Sequence, residues 1–578
     1  MADSRATVRR LKVLTRLVQP VSTLHRKIIA RPCATAASDR DIVRSIVLDP
    51  APQGLEASYS VLFTPEAIQF VAELAATFSL QIDQLYWQRL NRKCANLRAF
   101  QKPQFLDSPE RRDPNWKISP VPARLQNRHL DLGDVSPANT SHFVNSLQAD
   151  VQGVQVDFDD GHCPTWQNQI IGLHNVYRVV HGQIPGLASI QSLPVLMLRP
   201  RAWNMAEHNM MVNGKEVPGP IFDFGILMFH NANKLSEMGC GPFFYLSKVE
   251  GAGEAQLWND IFLWSQMKLG IPRGTIKACV LIENILSSFQ MEEILYALRE
   301  HSLGLNCGIW DYAASIICKF GHLRNFVLPD RNKYVNMERH FLKCYMQLVV
   351  RTCHRRGAHA TGGMAALLLP LDKESQKATE IIEKVCQAKL KEIQEGVDGF
   401  MVYDIGLVPY VNELWRLHAS SADQLMVKLS TTQITPEDLL QMPSGGVTMD
   451  GLNHNIAVTV LFIYHWFQGY GHFYYNGAVE DSATAEISRS QIWQWIRHET
   501  SVEDFNAVVT KTLVKQLAEK FLTCCMEGKL SFCQNEKERY QMKIAMGMFM
   551  EIITKNEFPD FITTYLNDNY MFWSFHKQ

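Results

Sequence analysis

No two cysteines stand in a C-x-x-C pair, although the 578-residue chain carries 13 of them, from Cys33 to Cys533. Structural zinc sites and secreted disulfide frameworks both depend on regular paired spacing, so reduced thiols in an intracellular compartment are the expectation. Cys353-His354 with His359 is superficially metal-like, but no second ligand pair follows, and it reads as a helix end running into a turn. Charge of one sign is also lacking: 57 Lys+Arg face 58 Asp+Glu, a net charge of -1. That balance argues against a generic binder of nucleic-acid backbone. No uninterrupted apolar run reaches the roughly 18 residues that a membrane span needs. The richest stretch, 457–467, contains Thr459 and His465. Internal repeats and long low-complexity segments are missing too. With 46% hydrophobic and 20% charged residues, the composition suits a globular chain large enough to bury its core without staples.

Residues 1–38 differ from the rest. They hold six Arg and two Lys but one acid, Asp3, with seven Ser or Thr interspersed. At helical spacing Leu11, Leu14, Leu17 and Val18 share one face, and Arg9, Lys12 and Arg16 the other. A basic, hydroxyl-rich, acid-poor amphipathic leader is the pattern of a mitochondrial transit peptide, which predicts the mitochondrial matrix. The alternatives are a peroxisome or glyoxysome, or the cytosol. The chain ends His-Lys-Gln, without a Ser-Lys-Leu address.

Residues 39–149 read as a mostly helical N-terminal region with a proline-bearing connector. From 150 to 430 short apolar strands alternate with longer helical patterns. The strands are predicted at 154–158, 195–198, 243–246, 276–282, 305–309, 358–361 and 399–403, with helices such as 289–301 and 374–394 between them. This alternation implies a parallel sheet, and the spacing fits a closed (β/α)8 barrel with one strand still to be placed. Residues 431–578 return to helices, predicted at 436–440, around Trp493 and Trp495, at 502–521 and at 536–554.

Several acids fall where barrel strands should end. The run Ile276-Lys-Ala-Cys-Val-Leu-Ile stops at Glu283, and Leu305-Asn-Cys-Gly-Ile-Trp stops at Asp311. The two carboxylates are 28 residues apart, close to one βαβ unit, which sets them side by side at the face where barrel enzymes keep their sites. Two hard oxygen ligands with positions left open suit Mg²⁺. Another strand ends at Arg199-Pro-Arg201, where a guanidinium could hold an oxyanion. Asp157, Asp159 and Asp160 lie near the first predicted strand, as residues that orient metal-bound water or cap loops. Asp481 precedes a helix through Trp493 and Trp495 and is well placed as its N-cap. The positive helix end would lower its pKa.

A series of long motifs then stands out: Arg199-Pro-Arg-Ala-Trp203, Pro218-Gly-Pro-Ile-Phe-Asp-Phe224, Pro272-Arg-Gly-Thr-Ile-Lys277, Phe289-Gln-Met-Glu-Glu-Ile-Leu295, Gly304-Leu-Asn-Cys-Gly-Ile-Trp-Asp-Tyr312, Val327-Leu-Pro-Asp-Arg331, Thr361-Gly-Gly-Met-Ala-Ala366 and Glu480-Asp-Ser-Ala-Thr-Ala-Glu-Ile-Ser-Arg489. In this order they resemble the malate synthases of the glyoxylate cycle, over roughly residues 60–570. The resemblance implies a helical clasp, a (β/α)8 barrel and a C-terminal helical plug. It implies condensation of acetyl-CoA with glyoxylate and water to malate and CoA, with Mg²⁺ as cofactor. By residue match, Glu283 and Asp311 become the metal ligands, Arg199 the catalytic arginine and Asp481 the acid/base. The backbone N–H groups of Trp310 and Asp311 would bind the glyoxylate carboxylate. The chain departs from the family pattern at Asp398-Gly-Phe-Met-Val-Tyr-Asp-Ile-Gly-Leu407, expected near the acyl-CoA side, at Asp159 and at Tyr474-Tyr-Asn476. Two rival readings are a malyl- or citramalyl-CoA lyase-like enzyme and a non-enzymatic descendant of the fold.

Overall fold

Eight parallel strands close into a barrel: β1 (Leu130–Val135), β2 (Gly153–Asp157), β3 (Val195–Arg199), β4 (Phe243–Leu246), β5 (Lys277–Ile282), β6 (Ser302–Cys307), β7 (His359–Ala365) and β8 (Gly399–Val402). Each pairs with the next in sequence and β8 returns to β1. The structure is a computed structural model that describes residues 42–570 except 420, 430–431, 504, 528–531 and 560. The leader read at 1–38 lies outside the described residues.

The seven predicted strands all lie in the barrel, and the unplaced one is β1. Its sequence, Leu-Asp-Leu-Gly-Asp-Val, carries two acids and a glycine, so it shows no continuous apolar run. Asp131 is nevertheless buried, paired with Arg128, whose guanidinium also donates to the Tyr245 hydroxyl at 2.9 Å. A buried ion pair inside the barrel therefore hid a strand from hydropathy reading.

The register sets the ends of the strands level. Asp157 lies opposite Arg199 across β2 and β3, and Ile282 opposite Cys307 across β5 and β6. Residues just past these ends share one rim.

Ahead of the barrel, α1 (Pro65–Arg98) starts on Thr64, whose hydroxyl accepts from the Ala67 N–H, with Pro65 at the first helical position. Its buried residues Ala67, Phe70, Val71, Leu74, Phe78, Ile82 and Leu85 recur every three or four positions and make one stripe. That stripe meets α2 (Gly219–Glu237), where Phe70 packs on Phe229 at 5.8 Å between ring centroids.

Five further helices matter here: α3 (Ile309–Phe320), α4 (His340–Arg355), α5 (Pro436–Leu440), α6 (Met449–Phe467) and α7 (Ser482–Arg497). The apolar run at 457–467 lies in α6, which is buried nearly all round and anchors a second hydrophobic core. Three last helices, α8 (Lys511–Met526), α9 (Glu536–Thr554) and α10 (Ile562–Tyr570), complete that core. The helix predicted at 502–521 starts only at Lys511. Thr510 caps it, and Ser501 and Val502 instead form isolated bridges with Val508 and Val447.

Candidate active site

A cavity of about 100 Å³ opens at the C-terminal rim of the barrel, with Arg199, Glu283, Asp311 and Asp481 among its lining residues. Glu283 follows β5 directly, as expected. Asp311 does not end a strand: β6 stops at Cys307, and Asp311 sits in the first turn of α3. The chain turns there at Gly308, which passes close against Glu283. A Cβ on Gly308 would lie 3.0 Å from the Glu283 Cβ and 3.2 Å from its Oε2. The carboxylates still meet, and a third joins them. Oxygens of Asp160, Glu283 and Asp311 all lie within 4.8 Å of one another.

Two cations hold this acidic cluster together. Arg199, buried at the end of β3, donates through Nε to the Ser247 hydroxyl at 2.6 Å and through Nη1 to Asp157 at 3.3 Å. Its Nη2 bonds Asp160 and lies 3.3 Å from Asp159 and 3.8 Å from Glu283. Lys248, in the left-handed backbone region at φ 53°, donates its N–H to Glu283 at 2.6 Å. Its ammonium reaches Asp159 at 2.7 Å, Asp160 at 2.8 Å and Asp311 at 3.4 Å.

Burial governs the charge states. It pushes the Glu283 carboxyl up to about 7, against the pull of Lys248 and Arg199. It also raises Asp311 well above the usual carboxylate range, with Asp160 adding repulsion, and Asp134, with Asp481 adding repulsion. Asp160 is the exception. Burial works against its ionisation, but Arg199 and Lys248 beside it keep its pKa low. Arg199 and Lys248 thus stand against six buried acids, Asp134, Asp157, Asp160, Glu283, Asp311 and Asp481, and the half-buried Asp159. Asp160, Glu283 and Asp311 offer only carboxylate oxygens, a hard donor set that fits Mg²⁺.

Asp481 reaches the rim from the C-terminal side. Strands β9 (Phe473–Tyr475) and β10 (Ala478–Glu480) form a hairpin whose turn is Asn476-Gly477, both at positive φ. The hairpin leads directly into Asp481, the N-cap of α7. It accepts from the Thr484 N–H at 2.9 Å, and its own N–H donates to Thr484 Oγ1 at 2.9 Å. Ser482 then donates its hydroxyl to Asp160, tying α7 to the acidic cluster. The expected lowering of the Asp481 pKa does not hold: burial, with Asp160's charge, raises it despite the helix N-terminus.

Sequence reading brought Arg199, Glu283, Asp311 and Asp481 to one place. It left Asp160 unassigned among three neighbouring acids and missed Lys248, Asp134 and Ser482. Asp157 is a turn residue, accepting from the Asp159 and Gly161 N–H groups at 2.8 Å each. Arg201 turns away from the cavity, salt-bridged to Asp223 and Glu207 at 2.8 Å each. Trp310 and Asp311 open α3, where first-turn N–H groups have no helical acceptor. The altered stretch at 398–407 forms β8 and the short turn of helix that follows it, Ile405–Leu407. Asp404 accepts from the N–H groups of Gly406 at 2.8 Å and Leu369 at 2.7 Å, and the Tyr403 hydroxyl meets that of Tyr474 at 2.8 Å.

Two family models match the chain, the malate synthase TIM barrel domain over residues 195–442 and the malate synthase C-terminal domain over 446–570. The malate synthase of Myxococcus xanthus is 39% identical over 516 residues, 87% of this chain and 93% of that one. Malate synthase A of Escherichia coli K12 is 35% identical over 514 residues, 87% of this chain and 94% of its own. The glyoxysomal malate synthase of Candida tropicalis is 35% identical over 539 residues, covering 90% and 95%. These names lend no support to the mitochondrial reading of residues 1–38. The matches span both the barrel and the C-terminal helices, which sets aside the lyase-like and non-enzymatic readings. The chain belongs to the malate synthase family, enzymes that condense acetyl-CoA with glyoxylate.

Proposed function

We propose that this chain makes malate at the rim cavity, with Glu283 and Asp311 as Mg²⁺ ligands, Asp160 facing the same point, Arg199 as the enolate stabiliser and Asp481 as the base. The observation that carries this is the convergence of Asp160, Glu283 and Asp311 within 4.8 Å, beside Arg199 and across from Asp481. When bound, the ion would supply Lewis-acid polarisation of the glyoxylate carbonyl.

The chain's own residues do the rest. The first-turn N–H groups of α3 at Trp310 and Asp311 bind the glyoxylate carboxylate at a helix N-terminus, where an anion is favoured. Asp481 takes a proton from the acetyl methyl through a carboxylate oxygen. Its raised pKa makes it a better base than an ordinary surface Asp. Arg199 stabilises the negative charge that moves onto the thioester oxygen. Its contacts with Ser247 and Asp157 fix the guanidinium plane before substrate arrives. Joining the enolate carbon to the aldehyde carbon and hydrolysing the thioester then gives malate and free CoA. Thiol release from acetyl-CoA plus glyoxylate, assayed with Mg²⁺ in wild type, Glu283→Gln and Asp311→Asn, tests the assignment. Both variants should lose nearly all turnover and weaken Mg²⁺ binding; wild-type Mg²⁺ dependence in both would remove them as ligands.

For the compartment, the composition of residues 1–38 supports the mitochondrial matrix, while the glyoxysomal name of the Candida tropicalis relative supports a peroxisome-type organelle. Imaging full-length and 39–578 reporter fusions separates the two.

A further inference from the structure

Away from the rim carboxylates, three donors of different chemistry meet where α4 packs on α5. His340 and Cys344 stand one turn apart on α4, and Asp438 lies in the first turn of α5. His340 Nε2 is 2.8 Å from Asp438 Oδ1 and 3.6 Å from Cys344 Sγ. One donor atom from each residue falls within 4.8 Å of the other two.

The shared nitrogen matters. A relay that activates a thiol needs the imidazole between its partners, one on each ring nitrogen. Here the carboxylate sits on Nε2, and Cys344 Sγ lies 3.6 Å from Nε2 and 3.9 Å from Nδ1, so thiol and carboxylate both stand within reach of a centre bound at Nε2. The spacing agrees. Zinc–nitrogen and zinc–sulfur bonds of about 2.0 and 2.3 Å in tetrahedral geometry hold the two ligand atoms about 3.5 Å apart. The carboxylate has to open by only about half an ångström to take its own corner. Its other oxygen is already held by the Thr435 N–H and hydroxyl at 2.8 Å each, the kind of outer contact that orients a ligating carboxylate. Cys344 is buried, whereas the His340 side chain is 51% exposed, so an ion can enter from solvent and keep a water in a fourth position.

We propose that His340, Cys344 and Asp438 form a second metal site, for a borderline-soft divalent ion of the zinc class, that staples the barrel helix α4 to the short helix α5 at the end of the barrel domain. Sulfur and imidazole donors select against Mg²⁺, so the rim carboxylates and this cluster sort different ions. On binding, the Cys344 thiol releases its proton to solvent.

Co²⁺ is the probe, added to the metal-free full-length enzyme with excess Mg²⁺ present. A near-ultraviolet thiolate-to-cobalt charge-transfer band should appear, saturate at one ion per chain, and vanish when Zn²⁺ is added. Carboxylate ligands alone give no such band, so Co²⁺ at the rim is silent in this window. Cys344→Ser and the half-exposed His340→Ala should both lose the band, while Asp311→Asn keeps it. No band in the wild type, or a band that survives either cluster variant, overturns the site.

Discussion

Arg199 touches five carboxylates, those of Asp134, Asp157, Asp159, Asp160 and Glu283, and one hydroxyl, and its geometry decides what a substitution costs. A lysine would keep the charge but not the planar fork that bonds Ser247 through Nε and Asp157 and Asp160 through its two terminal nitrogens. Arg199→Lys should lower kcat by about 10²–10³, the usual cost of one oxyanion donor, with the fold intact by circular dichroism. A kcat within a factor of about two of wild type, far outside that range, would move enolate stabilisation elsewhere. Lys248 offers a second check on the acid cluster. Its ammonium lies between Asp159, Asp160 and Asp311. Lys248→Met leaves those acids with one cation fewer, so the variant should be destabilised without Mg²⁺ and recover most of the loss with it, as read by thermal melting. An equal loss under both conditions would mean that Lys248 serves packing alone.

At the scale of elements, the hairpin β9–β10 and the turn into α3 bring the chemistry to the rim. Asn476-Gly477 is a two-residue turn that sequence can announce, and Asp481 as an N-cap was equally legible, because both depend on neighbours in the chain. Asp311 was misplaced by one element for the same reason in reverse. Local sequence gives an apolar run ending in an acid, but β6 stops at Cys307 and Gly308, close against Glu283, leads into α3. Lys248 and Asp160 carry no local signal, since their meeting requires the loops after β2 and β4 to converge in space. The barrel itself was legible from seven apolar runs; β1 was not, because Asp131 enters the barrel paired with Arg128. The close approach at Gly308 has a consequence. Gly308→Ala pushes a methyl against Glu283 and should weaken Mg²⁺ binding by about 10–100-fold, as loss of an orienting contact does, while thermal stability changes little. Isothermal titration with Mg²⁺ measures it, and unchanged affinity would show that Glu283 can move aside freely.

At the scale of the whole molecule, two hydrophobic cores meet at the proposed reacting centre. The barrel supplies Arg199, Glu283 and Asp311; the C-terminal helices supply Asp481, with Ser482 bonded to Asp160 and the Trp495 indole donating to the Leu328 carbonyl at 2.8 Å. Its pH behaviour follows from burial. Glu283 rises from 4.5 to about 7, and a carboxyl raised in the folded state stabilises that state below the unfolded pKa and loses the contribution as pH climbs through the folded one. Metal-free enzyme should therefore lose stability between 4.5 and about 7, and the rise in Tm caused by Mg²⁺ should be small at the acid end of that window and grow through its upper edge. A Mg²⁺ effect independent of pH would contradict the metal assignment. The central claim, that Asp481 is a base and not only the cap of α7, is tested by one half-reaction. Asn caps a helix about as well as Asp, so Asp481→Asn preserves the fold. Enzyme, Mg²⁺ and acetyl-CoA are incubated in D₂O with a non-reacting glyoxylate analogue, and deuterium entering the acetyl methyl is followed by mass spectrometry. Exchange in the wild type and none in folded Asp481→Asn is the predicted result; equal exchange in both would leave Asp481 a cap and the base still to be found.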